Sequence, residues 1–211
     1  MVYYFHGGVF FFYVNSVIVQ YFGQGDASMK QSILPASSNM KDFERFLESP
    51  FEAGVMLEIH LSQIKHVTKM AKSKNKKLFF HIDLIHGLKN DEYGTQYLCQ
   101  EFRPYGLIST KSSVIQQAKK HGVVAVQRIF MIDSHAIERS FRLVEKCQPD
   151  YIEVLPGSMP AMIKEVSERF QIPVFAGGLI RTEREAHEAL EAGATSITSS
   201  NHQLWEHFST K

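Results

Sequence analysis

Two runs of small residues near the C-terminus have the types that hold a phosphoryl group. The run Ala176, Gly177, Gly178, Leu179, Ile180 lets backbone N–H groups approach an anion closely, because glycine carries no side chain. The run Thr198, Ser199, Ser200, Asn201 adds compact donors just before a helical stretch at His202, whose N-terminus would carry partial positive charge. Upstream, polar residues recur late in short apolar runs: Glu58 in 54–60, His81 and Asp83 in 77–85, Ser109 and Lys111 in 106–111, Glu153 in 151–156. Carboxylates, an imidazole, a hydroxyl and an ammonium gathered at one end of a sheet can form a polar mouth that contacts a ligand, or move protons in acid–base chemistry. Each alone fits a structural hydrogen bond or a turn equally well. Their common placement is what points to a site.

That placement presupposes elements. From residue 33 onward, short apolar runs alternate with amphipathic stretches. Strands are predicted over 33–36, 54–60, 77–85, 106–111, 123–131, 151–156, 173–179 and 196–200. Helices are predicted over 40–49, 61–73, 92–102, 113–121, 134–147, 159–170, 182–192 and 202–208. Asp133 or Ser134 can cap the fifth helix and Thr182 the seventh, while Gly122 and Gly193 stand where left-handed C-terminal turns are wanted.

Eight strand–helix pairs in order, without tandem hairpins, predict an α/β fold: a compact (β/α)8 TIM-type barrel with short loops, a single domain over 29–211. An open doubly wound sheet competes, but its G-x-G-x-x-G fingerprint is absent. A barrel gathers its functional residues at the C-terminal strand ends, with phosphate sites in the loops after the seventh and eighth strands. Both small-residue runs fall there. With a two-residue period, Glu58 shares a face with Met56 and His60, and His81 and Asp83 share one with Phe79. Ser109 and Lys111 likewise follow Leu107, and Glu153 follows Tyr151. Lys111 and Arg128 would then balance the carboxylates in a polar mouth.

Other chemistries lack support. No H-x-x-x-H helix or dense Cys/His cluster suggests a metal, and no cofactor is expected. The two cysteines, Cys99 and Cys147, fall inside predicted helices and exclude a disulfide framework; no G-x-S-x-G marks a serine nucleophile. Residues 1–28 differ from the rest, with 5 of 16 Phe, 4 of 8 Tyr, no Lys or Arg, and Asp26 as sole acid. Their apolar stretch is too short to cross a bilayer, which takes about 20 residues, and they lack the basic region of a secretory signal. The leader is expected to be disordered or a start-site artefact, with Met29 as the natural start. No membrane association is expected.

The 23 basic and 22 acidic residues give a net charge of +1, which hides an asymmetry. Residues 59–132 hold 12 basic against 4 acidic residues, a local +8, and the remainder carries −7. A neutral total therefore does not exclude a polyanionic partner, although lysine-rich helix faces are often only solvated.

The runs Ile33-Leu-Pro-Ala, His81-Ile-Asp-Leu-Ile-His-Gly-Leu-Lys, Asp91-Glu-Tyr, Gly106-Leu-Ile-Ser-Thr-Lys, Gln127-Arg-Ile-Phe, Pro149-Asp-Tyr-Ile-Glu-Val-Leu-Pro-Gly and Ala176-Gly-Gly-Leu-Ile-Arg-Thr occur in this order. They closely resemble the glycerol-3-phosphate-responsive antiterminator family, from about Ile33 to Trp205. The leader matches nothing in that family. The resemblance implies a cytoplasmic bacterial regulator rather than an enzyme, with glycerol 3-phosphate as effector and the leader mRNA of a glycerol-catabolism operon as partner. Gly177, Gly178, Thr198, Ser199, Ser200 and Asn201 then occupy the phosphate positions. Glu58, His81, Asp83, Ser109, Lys111 and Glu153 occupy positions able to hold the glycerol hydroxyls.

RNA contacts are read from charge: Lys65, Lys69, Lys72 and Lys76 recur on one face of the second helix and its exit, and Lys74, Lys77, Lys119 and Lys120 extend the patch. Ligand-driven homodimerisation and ligand ordering of the mouth loops are two ways to couple effector to RNA. The alternative is an isomerase or lyase acting on a small phosphorylated substrate, with Glu58, Asp83 or Glu153 as base and Lys111 as electrophile.

Overall fold

Strands that are apolar on both faces, joined by capped amphipathic helices, bury both faces when they close into a ring sheathed by those helices. In the computed structural model, which describes residues 31–209 and the backbone of three short strands before them, the chain does this. Eight parallel strands pair in chain order: β1 (Ile33–Ser37), β2 (Ala53–Met56), β3 (Lys77–His81), β4 (Gly106–Ser109), β5 (Val124–Phe130), β6 (Tyr151–Leu155), β7 (Val174–Gly177) and β8 (Ala194–Ser199). β8 pairs back onto β1 through Ile197 and Ile33, closing the barrel. The helices are α1 (Met40–Glu48), α2 (Leu61–Ser73), α3 (Glu92–Phe102), α4 (Ser112–Lys120), α5 (Ser134–Cys147), α6 (Pro160–Phe170), α7 (Glu183–Glu191) and α8 (His202–Ser209). This is the (β/α)8 architecture expected from the sequence.

The start signals work as their chemistry predicts. Asp133 accepts from the Ala136 N–H at the head of α5, and Thr182 accepts from the Glu185 N–H at the head of α7. Gly122 and Gly193 take the left-handed conformation, with φ of 69° and 107°.

Ring contacts reveal which strand faces point inward. Phe79 on β3 and Phe175 on β7 are not on neighbouring strands, yet their centroids lie 6.2 Å apart, edge to face. Tyr151 on β6 stacks on Phe175 at 4.6 Å. These rings plug the barrel interior. Met56, Phe80, Leu107, Ile152 and Ala176 instead join the core shared with the helices. This parity decides which late polar residues reach the mouth: Glu153 follows Tyr151 inward, whereas Ser109 follows Leu107 outward.

Two strands are shorter than the apolar runs that predict them. β2 ends at Met56, and β3 ends at His81 before a 3-10 turn over Ile82–Leu84. The continuations, Ile59–His60 and Ile85–His86, form a separate two-stranded parallel pair beyond the barrel. Of the leader, the described backbone comprises three antiparallel strands (Tyr4–His6, Val9–Val14, Val17–Phe22) in a unit of their own. Otherwise the expectation about its order and origin lies outside the described residues. Among those residues no helix is long and apolar enough to cross a membrane.

Candidate functional site

A cavity of ≈ 450 Å³ opens at the C-terminal ends of the strands. Its polar wall comes from Arg128, Glu153, the Gly177–Arg181 loop and Thr198 to Asn201; Ala36, Leu57 and Leu84 line the apolar side. Both small-residue runs singled out in the sequence therefore meet in one pocket, with Glu153 beside them.

Glu153 is the most constrained group there. Its Oε2 accepts from Arg128 Nε at 2.7 Å, with the two side chains 1% and 12% exposed. Its other oxygen, Oε1, is buried and has no hydrogen-bond partner. A buried acceptor left unmet costs about 1–3 kcal/mol, more when charged, so this atom awaits a donor. Thr198 Oγ1 is likewise buried and unpartnered on the same pocket wall. A Cβ at Gly177 would stand 2.9 Å from Glu153 Oε1, so a side chain here presses directly on that carboxylate.

The surrounding loops are braced by backbone and amide contacts. The Gly157 N–H donates to the carbonyls of Gly177 and Gly178, at 2.6 and 3.0 Å. Gly178 turns the loop with φ of 74°. Asn201 Nδ2 donates to the Arg181 carbonyl at 3.0 Å, and Asn201 Oδ1 accepts from the Gln203 N–H at 3.0 Å. One side chain thus ties the β7 loop to the head of α8, and both of its polar groups are engaged in doing so. Trp205 Nε1 donates to the Ser199 carbonyl at 2.7 Å and anchors α8 from below.

His81 is 2% exposed, and both its ring nitrogens lack partners. It does not line the open cavity. Burial and the nearby Arg128 charge hold its pKa below the ordinary 6.5, opposed by Glu153 and Asp83.

The remaining candidates lie elsewhere. Glu58 is exposed and lines a neighbouring groove, because Met56 faces outward and Leu57, not Glu58, reaches the mouth. Ser109 is buried outside the barrel lumen and donates to Asp83 Oδ1 at 2.7 Å. Asp83 also accepts from the Thr110 N–H and hydroxyl at 2.8 and 2.9 Å, and from Asn90 at 3.1 Å. It clamps the β4 loop to the turn after β3. Lys111 reaches neither Glu58 nor Glu153; its ammonium donates to the Asn90 carbonyl and side chain at 3.1 and 2.7 Å. Among the described residues, Arg128 is the ion-pair partner of Glu153. The residue that sequence reasoning passed over is Arg181, which lines the cavity as a cation four residues after Gly177.

The Asp83 clamp has a testable pH signature. Burial raises its pKa, but the hydrogen bonds from Thr110, Ser109 and Asn90 outweigh burial and hold it below the ordinary 3.8. A depressed carboxylate stabilises the fold above its unfolded pKa, and that contribution is lost as pH falls through the folded value. Asp83→Asn is expected to cost about 2 kcal/mol at pH 7 and to flatten the stability loss below about pH 4. Urea titrations from pH 7 to 3 check this, and an unchanged acid limb would contradict it.

The basic candidates divide as well. Lys65, Lys69 and Lys120 are exposed, and Lys72 reaches the Phe102 carbonyl at 3.4 Å. Lys74 pairs with Glu48 at 3.0 Å. Lys76 is half-buried, its ammonium donating to the Ser49 and Phe51 carbonyls at 2.6 Å each. Lys77 lies 3.8 Å from Glu52, and Lys119 pairs with Asp150 at 3.4 Å. Lys76, at the exit of α2 three residues past Ser73, is turned from the helix's open face by the Ser49 and Phe51 carbonyls. Among the described residues, no group of three His, Cys, Asp or Glu is arranged to hold a metal ion.

Residues 33–205 match the family model described as glycerol-3-phosphate responsive antiterminator. The chain belongs to this family. The matched span starts at the first residue of β1 and ends inside α8, so it contains the whole cavity. A crystal structure of a glycerol uptake operon antiterminator regulatory protein from Listeria monocytogenes is 45% identical, covers 84% of this chain and 96% of its own, and superposes with a TM-score of 0.82. A glycerol uptake operon antiterminator-related protein from Thermotoga maritima is 29% identical, with coverages of 84% and 99% and a TM-score of 0.75. An uncharacterised protein of Escherichia coli, YgcP, is 34% identical over 146 residues, which is 69% of this chain and 76% of that protein.

Proposed function

We propose that this protein is a cytoplasmic, glycerol-3-phosphate-responsive antiterminator that binds the leader mRNA of a glycerol-catabolism operon. The observation that carries this reading is the unpartnered Glu153 Oε1, buried beside two loops with the composition of a phosphate cradle. Glycerol 3-phosphate is a polyol joined to an anion. Its phosphate suits the Gly177–Gly178 turn, Ser200, the head of α8 and the Arg181 cation. Its hydroxyls donate to Glu153 Oε1 and exchange with Thr198 Oγ1. A carboxylate facing a phosphate would repel it, so the two must sit at opposite ends of one molecule.

Family membership and the regulatory names of the relatives from Listeria and Thermotoga support regulation over catalysis. So does the dispersal of the proposed acid–base set: Lys111 is held by Asn90, and Glu58 lies in another groove. Calorimetry with glycerol 3-phosphate, glycerol and inorganic phosphate tests the pocket. The intact ester is expected to bind at least tenfold tighter than either fragment; equal binding of glycerol or phosphate alone would overturn the assignment.

For RNA, the exposed lysines of α2 supply phosphate contacts, whose contribution falls with salt. Reversing Lys69 and Lys72 to Glu is expected to weaken leader RNA binding by at least tenfold in filter binding, with effector affinity unchanged. Equal RNA affinity would remove α2 from the interface.

A further inference from the structure

Beside the mouth lies a second cavity of ≈ 340 Å³, lined by Asn39, Met56, Glu58, His60, Gln63 and His86 among others. The parallel pair beyond the barrel builds it by setting His60 directly opposite His86. Their rings lie 5.1 Å apart at 34°, and both side chains are exposed. The floor is apolar at Met56 and Ile59, both buried. Gln63 Oε1 accepts from the His60 N–H at 3.3 Å, and its Nε2 carries no hydrogen bond among the described residues. The Glu58 side chain is exposed, and among the described residues no three His, Cys, Asp or Glu here are arranged for a metal.

We infer that this cavity receives an unpaired nucleobase of the leader RNA, an assignment that rests on the RNA-binding reading above. A base needs a flat π surface, an apolar floor and a few groups for its edge. The imidazole rings supply the first, Met56 and Ile59 the second, and the Gln63 amide and Glu58 carboxylate the third. At this volume the cavity lies at the small end of ligand pockets, which suits one flat heterocycle. The position also agrees with the charge. His60 is the N-cap of α2, and Lys65 and Lys69 lie about 7 and 13 Å further along that helix at 1.5 Å per residue. A strand leaving the cavity along α2 meets those ammonium groups with its phosphates.

The two cavities are built from the same loops. Ala36 lines the mouth while Ser38 and Asn39 line the histidine cavity; Leu57 faces one and Glu58 the other; Leu84 and His86 divide in the same way. The end of β1 and the loops after β2 and β3 are shared walls. An effector that orders these loops from the mouth side also orders the base-binding side, and the coupling runs equally in both directions.

The test uses the full chain and leader RNA transcribed in vitro. His60→Ala with His86→Ala is expected to weaken RNA binding by about 5- to 100-fold, the range for losing one stacked base. The slope of log K against log salt should stay as in wild type, since no phosphate contact is lost. Calorimetric affinity for glycerol 3-phosphate in the absence of RNA should also stay. His86→Ala alone, with circular dichroism, guards against a change at the head of α2, where His60 and Gln63 cap the helix, and it should weaken RNA binding in part. Wild-type RNA affinity in the double variant, while Lys69→Glu with Lys72→Glu weakens binding, would overturn the base pocket and leave the RNA reading standing. No leader RNA binding by the wild-type chain would overturn both.

Discussion

Replacing Arg128 by alanine is expected to lower the unfolding free energy by about 3–5 kcal/mol, read from urea denaturation at pH 7. The guanidinium is the sole ion-pair partner of Glu153 among the described residues, and that carboxylate is 1% exposed. Removing one member of a buried pair leaves the other as an uncompensated charge, which costs far more than the intact pair contributes. Glu153→Gln added to Arg128→Ala removes that charge while keeping the shape. The double variant should therefore regain at least half the loss. A loss below about 1 kcal/mol in the single variant would mean that water reaches Glu153, and the buried acceptor invoked for the effector hydroxyls would not exist.

Gly177→Ala is expected to weaken glycerol 3-phosphate by about 10- to 150-fold, the effect of one lost hydrogen bond to a charged acceptor. The added methyl would stand 2.9 Å from Glu153 Oε1. Arg128 holds the other oxygen, so the carboxylate can turn away only by straining that bond. The φ of Gly177 is not among the left-handed ones, so the effect is steric and confined to the pocket. Overpacking of this kind costs about 1–3 kcal/mol in stability, leaving a folded protein for calorimetry. Wild-type affinity in this variant would separate Glu153 from the ligand.

The barrel was legible because each unit repeats the same local logic: an apolar run, a capping residue such as Asp133 or Thr182, and an amphipathic stretch. The meeting of the two small-residue runs in one pocket was legible because a closed barrel brings the loops after its seventh and eighth strands together at the mouth. Glu153 could be placed because β6 runs regularly through Tyr151 and Leu155. Glu58 could not, because period-two counting requires knowing which residue faces the lumen and where the strand stops. Met56 faces the helices and β2 ends there, so the counted face was the outer one. Ser109 and Lys111 failed by the same parity, and Asp83 by the turn that interrupts its run. Arg181 was hidden in plain view within the Ala176-Gly-Gly-Leu-Ile-Arg-Thr run; it had no strand register to mark it. Lys76 looked like a surface cation, but its ammonium solvates two carbonyls after α1, a tertiary contact that spacing does not encode.

The proposed function joins the pocket to the charge asymmetry through one requirement: the effector would have to control the affinity for RNA. A ligand shifts such an equilibrium only through unequal affinity for two states, so the effect must appear in binding itself. The most direct test is filter binding of the glycerol-operon leader RNA to the full chain at fixed salt, with and without saturating glycerol 3-phosphate. The account predicts at least a fivefold tighter complex with the effector, with glycerol 3-phosphate recovered unchanged by NMR. Equal RNA affinity in both conditions, or conversion of glycerol 3-phosphate at an enzymatic rate, would contradict it.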